Sequence, residues 1–376
     1  MSSNSERLVP APRKTVALAL AAACCLIVTV MTVFRLTQSS PRPPDHVLST
    51  SSSATAPVSA QTCVECHEEQ VERFQSAAHF NTLSPGDDPL AISRLNGRTF
   101  TDEVSGDTFC YLLENERLWL KSSRREKPLR VDWLFGSGHH ACTPVTVIDT
   151  PEGHPAILQH VMSWYPDNTI GWTLGLDGEQ RQLPGIHGVA TPSIAQETHE
   201  CFKCHTTWLP EEEGVLKLNR LIPNVTCTRC HSQAQLHVED PELHPIESWS
   251  ELTPLESVNR CGECHRRADH MTPDELVPEN KLLVRFASAS LVQSNCFLNQ
   301  HQAQRMDCMT CHDPHEPAST EPIWYNGRCN SCHTDSSRCT SPSSTSDCIR
   351  CHMPKEKMQD GLFFTDHWIR AHEDSP

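Results

Sequence analysis

Residues 16–34 are nineteen consecutive, mostly apolar positions without a charge. At 1.5 Å per residue a helix of that length reaches about 28 Å, enough to cross a hydrocarbon layer of about 30 Å. The run is longer than the roughly 7–15 apolar residues of a secretory signal, and the first small-residue cleavage pattern after it lies far downstream, at residues 54–60. Cys24 invites a lipoprotein reading, but the apolar run continues past it. The pattern therefore predicts an uncleaved membrane anchor within residues 1–36. Residues 37–60 are Ser, Pro, Thr and Ala with few large apolar side chains, a composition that cannot offset its own ordering entropy and predicts a flexible linker. Beyond it, residues 68–80 (EEQVERFQSAAHF) read as helix. Residues 98–190 have a different texture. DTFCYLLENERLWLK (107–121) alternates about a turn at residues 114–116, and residues 145–165 do so about a turn at 151–153, which predicts two β-hairpins.

The chemistry lies in the cysteines. The chain has 20 Cys and 22 His among 376 residues, and fourteen of those cysteines fall in seven copies of CxxCH. Composition alone predicts roughly 0.06 such pentads. The pairs are Cys63 and Cys66, Cys201 and Cys204, Cys227 and Cys230, Cys261 and Cys264, Cys308 and Cys311, Cys329 and Cys332, and Cys348 and Cys351. The histidines that follow them are His67, His205, His231, His265, His312, His333 and His352. Two thiols on one side of a helical turn can each form a thioether to a haem vinyl group, and the next imidazole becomes the proximal iron ligand. Structural zinc needs two CxxC halves per ion and no adjacent histidine, whereas every copy here carries one. The cofactor reading is seven covalently attached haems c. Residues 61–97 form a first haem segment, 98–190 a β-rich module without haem motifs, and 191–376 a six-haem domain.

Fifteen histidines remain to supply second axial ligands. His79 is too far along its segment to reach the iron of His67, but it can serve a neighbouring haem. The strings FGSGHHACTPV (135–145), QHVMSWYPDN (159–168), LVQSNCFLNQ (291–300), CHDPH (311–315), CHMPK (351–355) and FTDHWIR (364–370) resemble the extracytoplasmic multihaem cytochromes with cytochrome c-552/c-554-like domains, from residue 61 to the end. The resemblance implies bis-histidine haems in close pairs and an electron-transfer role. It makes His315 and His367 distal ligands, with His237 in the same class. His140 and His160 match more loosely, each as a distal ligand or as a residue of the β-module core. Related nitrite reductases often replace the attached histidine with lysine, and no CxxCK occurs here. The alternative is a multihaem oxidoreductase with one open haem that acts on a small nitrogen or sulfur compound of the nitrite or hydroxylamine type. GSGHH is then the expected place for a substrate-facing residue.

Composition bounds the rest. Residues 61–376 allow roughly 45 residues per motif, too few for an apolar core at each site, so the porphyrins themselves must fill the core. With 28 Pro, this predicts a mainly α fold with extensive loops, a haem-packed core, a small β-rich module and an N-terminal transmembrane helix. The formal charge of −16 excludes nucleic acid as a partner. It suits redox partner proteins, a membrane quinol-oxidising complex among them. Haem attachment to such motifs takes place outside the cytoplasm, which predicts a single-pass inner-membrane protein with its haem domain in the periplasm or beyond. Cys110 with Cys142, and Cys296 with Cys339, are either disulfides or separate thiols.

Overall fold

The computed structural model describes residues 56–176, 181, 183, 185–300, 305–334, 347–359 and 361–372. All of them belong to one compact unit that begins at Leu48. The alternation at residues 107–121 becomes β3 (Thr108–Glu114) and β4 (Arg117–Ser122). They are antiparallel, with Glu114 opposite Arg117. Asn115 and Glu116 both take positive φ in the two-residue turn, the conformation whose twist matches a right-handed strand pair. With β2 (Thr99–Thr101) and β5 (Arg125–Arg130) they form a four-stranded sheet in the order β2-β3-β4-β5.

A second sheet, β1-β6-β7-β8-β11, contains the other expected hairpin, β7 (Thr143–Asp149) and β8 (Pro155–His160). β6 is Trp133–Phe135, and the edges are β1 (Leu83–Pro85) and β11 (Ala190–Pro192). β9 (Met162–Trp164) and β10 (Ile170–Trp172) form a ribbon beside it.

The five-stranded sheet is apolar on both faces, and the period of two sorts its residues cleanly. Leu134 and Leu158 join Phe109, Tyr111, Leu118 and Leu120 of the four-stranded sheet in one core. Trp133, Phe135, Val145, Val147 and Ile157 point the other way, into a second core with Phe202 of the helix Ala195–His205. That helix carries the CFKCH motif. One face of the sheet therefore closes the β-module, and the other supports a haem-motif helix.

The expected mainly α fold is overturned. The described residues are about one-third helical and rich in antiparallel sheet. Its longer helices, Ala60–Gln75, Pro254–His265 and Ala195–His205, have only 16, 12 and 11 residues. Each is tied to a CxxCH turn, and the helical signal of a motif does not propagate far into its flanks. Strands also enter the haem-motif region. Thr206–Trp208 pairs with Ile222–Pro223, Glu211–Glu212 with Val215–Leu216, and Lys355–Gln359 with Leu362–Thr365. The same expectation included a transmembrane helix. No helix among the described residues is long and apolar enough to cross a membrane. Residues 16–34, to which the sequence reading assigns that helix, lie outside the described residues, as does most of the linker.

Candidate haem-binding site

The motifs form tight turns. The backbone N–H groups of His231, His312 and His333 donate to the carbonyls of Cys227, Cys308 and Cys329 at 2.8, 3.0 and 2.9 Å. This closes one helical turn and sets both thiols and the imidazole of each motif around it. Caps fix where the turns start. Asp307 accepts from the Thr310 N–H at 3.2 Å, and Asp347 from that of Arg350 at 3.1 Å. Thr253 and Glu256 form a capping box ahead of the CGECH helix. The helix Ala60–Gln75 is interrupted at His67, whose backbone leaves the helical region.

Four attached histidines face a second histidine. The ring centres of His67 and His237 are 6.2 Å apart, those of His231 and His315 6.2 Å, those of His265 and His79 6.0 Å, and those of His312 and His367 6.3 Å. The interplanar angles are 25°, 2°, 76° and 41° in that order. Two metal–nitrogen bonds of about 2 Å, plus the reach from each nitrogen to its ring centre, put imidazoles that share a metal about 6 Å apart. The separations therefore fit one iron between each pair. Zinc would need donors converging in threes or fours, and among the described residues no group of three or more His, Cys, Asp and Glu does so.

Each second histidine is also braced, three of them through Nδ1. His237 Nδ1 meets the His244 carbonyl at 3.0 Å, His367 Nδ1 that of Thr365 at 2.9 Å, and His315 Nδ1 the Asp313 carboxylate at 3.0 Å. His79 donates to the Pro314 carbonyl. A ring that donates from one nitrogen presents a lone pair from the other, the tautomer a metal requires. Burial lowers His79, His205, His231 and His367, and together with neighbouring imidazoles it pushes His265 and His312 down to about 4, which favours the neutral rings.

The motifs also lie side by side: Cys63 neighbours Cys227, Cys204 neighbours Cys264, Cys261 neighbours Cys308, and Cys329 neighbours Cys348.

Three attached histidines have a different setting. His205 donates from Nδ1 to the Thr82 carbonyl at 2.8 Å, and Phe135 packs against its ring at 5.0 Å. His352 Nδ1 contacts the Arg370 carbonyl at 3.1 Å. Among the described residues no histidine ring stands about 6 Å from His205, His333 or His352.

Of the looser candidates, His160 is fully buried in the β-module. Its Nδ1 lies 3.1 Å from the Tyr111 hydroxyl and its Nε2 2.9 Å from that of Thr146. The Tyr111 proton goes to the Met162 carbonyl and the Thr146 proton to the Arg130 carbonyl, so both hydroxyls turn acceptor oxygens toward the imidazole. Burial pushes His160 down to about 3. His140 stacks on Phe364 at 4.4 Å, which brings the GSGHH loop against the C-terminal hairpin. In that loop Gly136 has φ of +112°, and a Cβ there would lie 2.2 Å from the Ala141 carbonyl. Cys110 and Cys142 are separate thiols, the latter buried beside Arg94. Cys296 is a thiol too, and Cys339 lies outside the described residues. The bracing groups, above all Asp313 and the carbonyls of Pro314 and Thr82, have no signature in the sequence pattern.

Covalently bound haem c is the group that this geometry fits, and the chain is a multihaem c-type cytochrome. The profile of the family described as cytochrome c554 and c-prime matches residues 62–92 and 178–232. The dissimilatory sulfite reductase MccA of Wolinella succinogenes is 22% identical over 369 aligned residues, covering 79% of this chain and 50% of that protein. The chain thus spans about half the length of this curated relative. Among solved structures, the outer cell wall cytochrome OcwA superposes with a TM-score of 0.49 at 14% identity, covering 84% of this chain and 80% of that one.

Proposed function

We propose that the protein is an extracytoplasmic heptahaem cytochrome c that carries electrons between redox partner proteins, with His237, His315, His79 and His367 as the distal ligands of the haems attached at His67, His231, His265 and His312. The observation that carries this reading is the set of four facing imidazole pairs on motifs that lie side by side. Each haem supplies a one-electron couple, and two imidazoles per iron favour low potentials and leave no position for a substrate. The neighbouring cysteines suggest an order in which the first motif adjoins the third, the second and fifth adjoin the fourth, and the sixth adjoins the seventh.

A second reading is reduction of a small sulfur oxyanion at the haem of His205. It is supported by the lack of a facing histidine at His205 among the described residues and by the likeness to a protein named as a sulfite reductase. The visible spectrum of the dithionite-reduced protein, with and without carbon monoxide, tests the two. Bands that carbon monoxide leaves unchanged support the carrier. A shift in about one seventh of the Soret intensity marks one open iron. Turnover of sulfite, nitrite or hydroxylamine by that protein would replace the carrier reading.

A further inference from the structure

The tetrapeptide His312–Asp313–Pro314–His315 reaches three haem sites. His312 is the attached histidine that faces His367, the Pro314 carbonyl braces His79 opposite His265, and His315 faces His231. The four facing histidines are not braced alike. His79, His237 and His367 lean on neutral carbonyls, whereas His315 leans on a carboxylate. The same Asp313 oxygen accepts the backbone N–H of His315 at 2.9 Å and its ring Nδ1–H at 3.0 Å, so the ring is locked against the charge. On the other side of this pair, His231 Nδ1 is buried and has no hydrogen-bond partner among the described residues. The two rings are nearly parallel, at 2°. Asp313 is therefore the hydrogen-bonding influence on this axial pair.

A carboxylate draws the N–H proton more strongly than a carbonyl does, which raises the basicity of the opposite ring nitrogen. A more basic axial ligand stabilises ferric over ferrous iron. We propose that Asp313 lowers the reduction potential of the haem held between His231 and His315, making it the most reducing of the four histidine-paired haems. The proposal rests on the reading of this pair as axial ligands. Water reaches both side chains, and Arg73, paired with Glu316 at 2.6 Å, is the nearby cation. The field of the charge is screened, so the effect acts through the hydrogen bond and stays with one haem.

Asp313→Asn keeps an acceptor oxygen and removes the charge. In a potentiometric titration followed by electron paramagnetic resonance, about one seventh of the low-spin haem signal should move to a higher midpoint while the rest stays in place. The number of haems, measured by mass, should not change. In a His315→Met background, which alters the ligand itself, Asp313→Asn should move nothing. Unchanged midpoints in the single variant, a shift spread over several haems, a shift that persists without His315, or loss of a haem would each overturn the proposal. If His315→Met leaves every low-spin signal unaltered, the axial assignment of the pair fails, and the proposal fails with it.

Discussion

At the scale of single residues, the histidines divide by what holds their second nitrogen. His160 has both nitrogens occupied within the β-core, and burial keeps it neutral down to about pH 3. The unfolded chain binds a proton at this residue near pH 6.5, so between about 6.5 and 3 the unfolded state holds more protons than the folded one. Stability is full above that window and declines as the pH falls through it. His160→Gln should flatten this acid-side decline and lower the thermal midpoint through lost buried hydrogen bonds worth about 1–3 kcal/mol, while haem content is unchanged. Calorimetry across pH together with haem counting checks both. His237 behaves oppositely. His237→Ala should keep every haem and open one iron to carbon monoxide, and a variant with an unaltered carbon monoxide difference spectrum would remove His237 from the ligand set.

Elements decide how those residues meet. The two hairpins were legible in the sequence because alternation has a period that survives without tertiary context. The sheet to which the second belongs was not, because its edges, β1 and β11, are three-residue strands too short to carry a pattern. The excess of expected helix has a related cause, since a CxxCH turn specifies only itself. His79, His237, His315 and His367 were visible as candidates from their spacing and likeness, but their partners were not. His67 and His237 are separated by 170 positions, and no local rule spans that distance. Phe202 shows how one element positions a site. It is fully buried against Trp133 and Phe135, with ring centres at 6.2 and 5.0 Å, and it lies three residues before His205 on the same helix. Phe202→Ala should cost about 3–5 kcal/mol, measured as chemical stability. It should also broaden the spectrum of the haem at His205 more than those of the paired haems.

For the whole molecule, the formal charge of −16 sets the terms of encounter. Electron exchange with a basic partner should slow as ionic strength rises, and stopped-flow rates at low and high salt measure this directly. A partner whose rate is indifferent to salt would exclude electrostatic steering.

The five-stranded sheet carries one further consequence, which concerns biogenesis. Residues 83–192 contain no attachment cysteine, yet they close an apolar core on one face of that sheet and offer an apolar platform on the other. The described residues beyond position 227 bury a smaller apolar cluster, Val258, Leu291 and Val292, with a few separate buried side chains such as Leu283, Val284 and Leu362. The β-module can therefore form before any porphyrin is attached, and the CFKCH helix can dock on it as a presented substrate for the attachment machinery. A chain made where attachment is blocked should yield a protease-resistant fragment containing the β-module, while the region beyond position 227 is digested. The β-module would then be a built-in assembly jig, completed first so that the rest of the protein can mature against it.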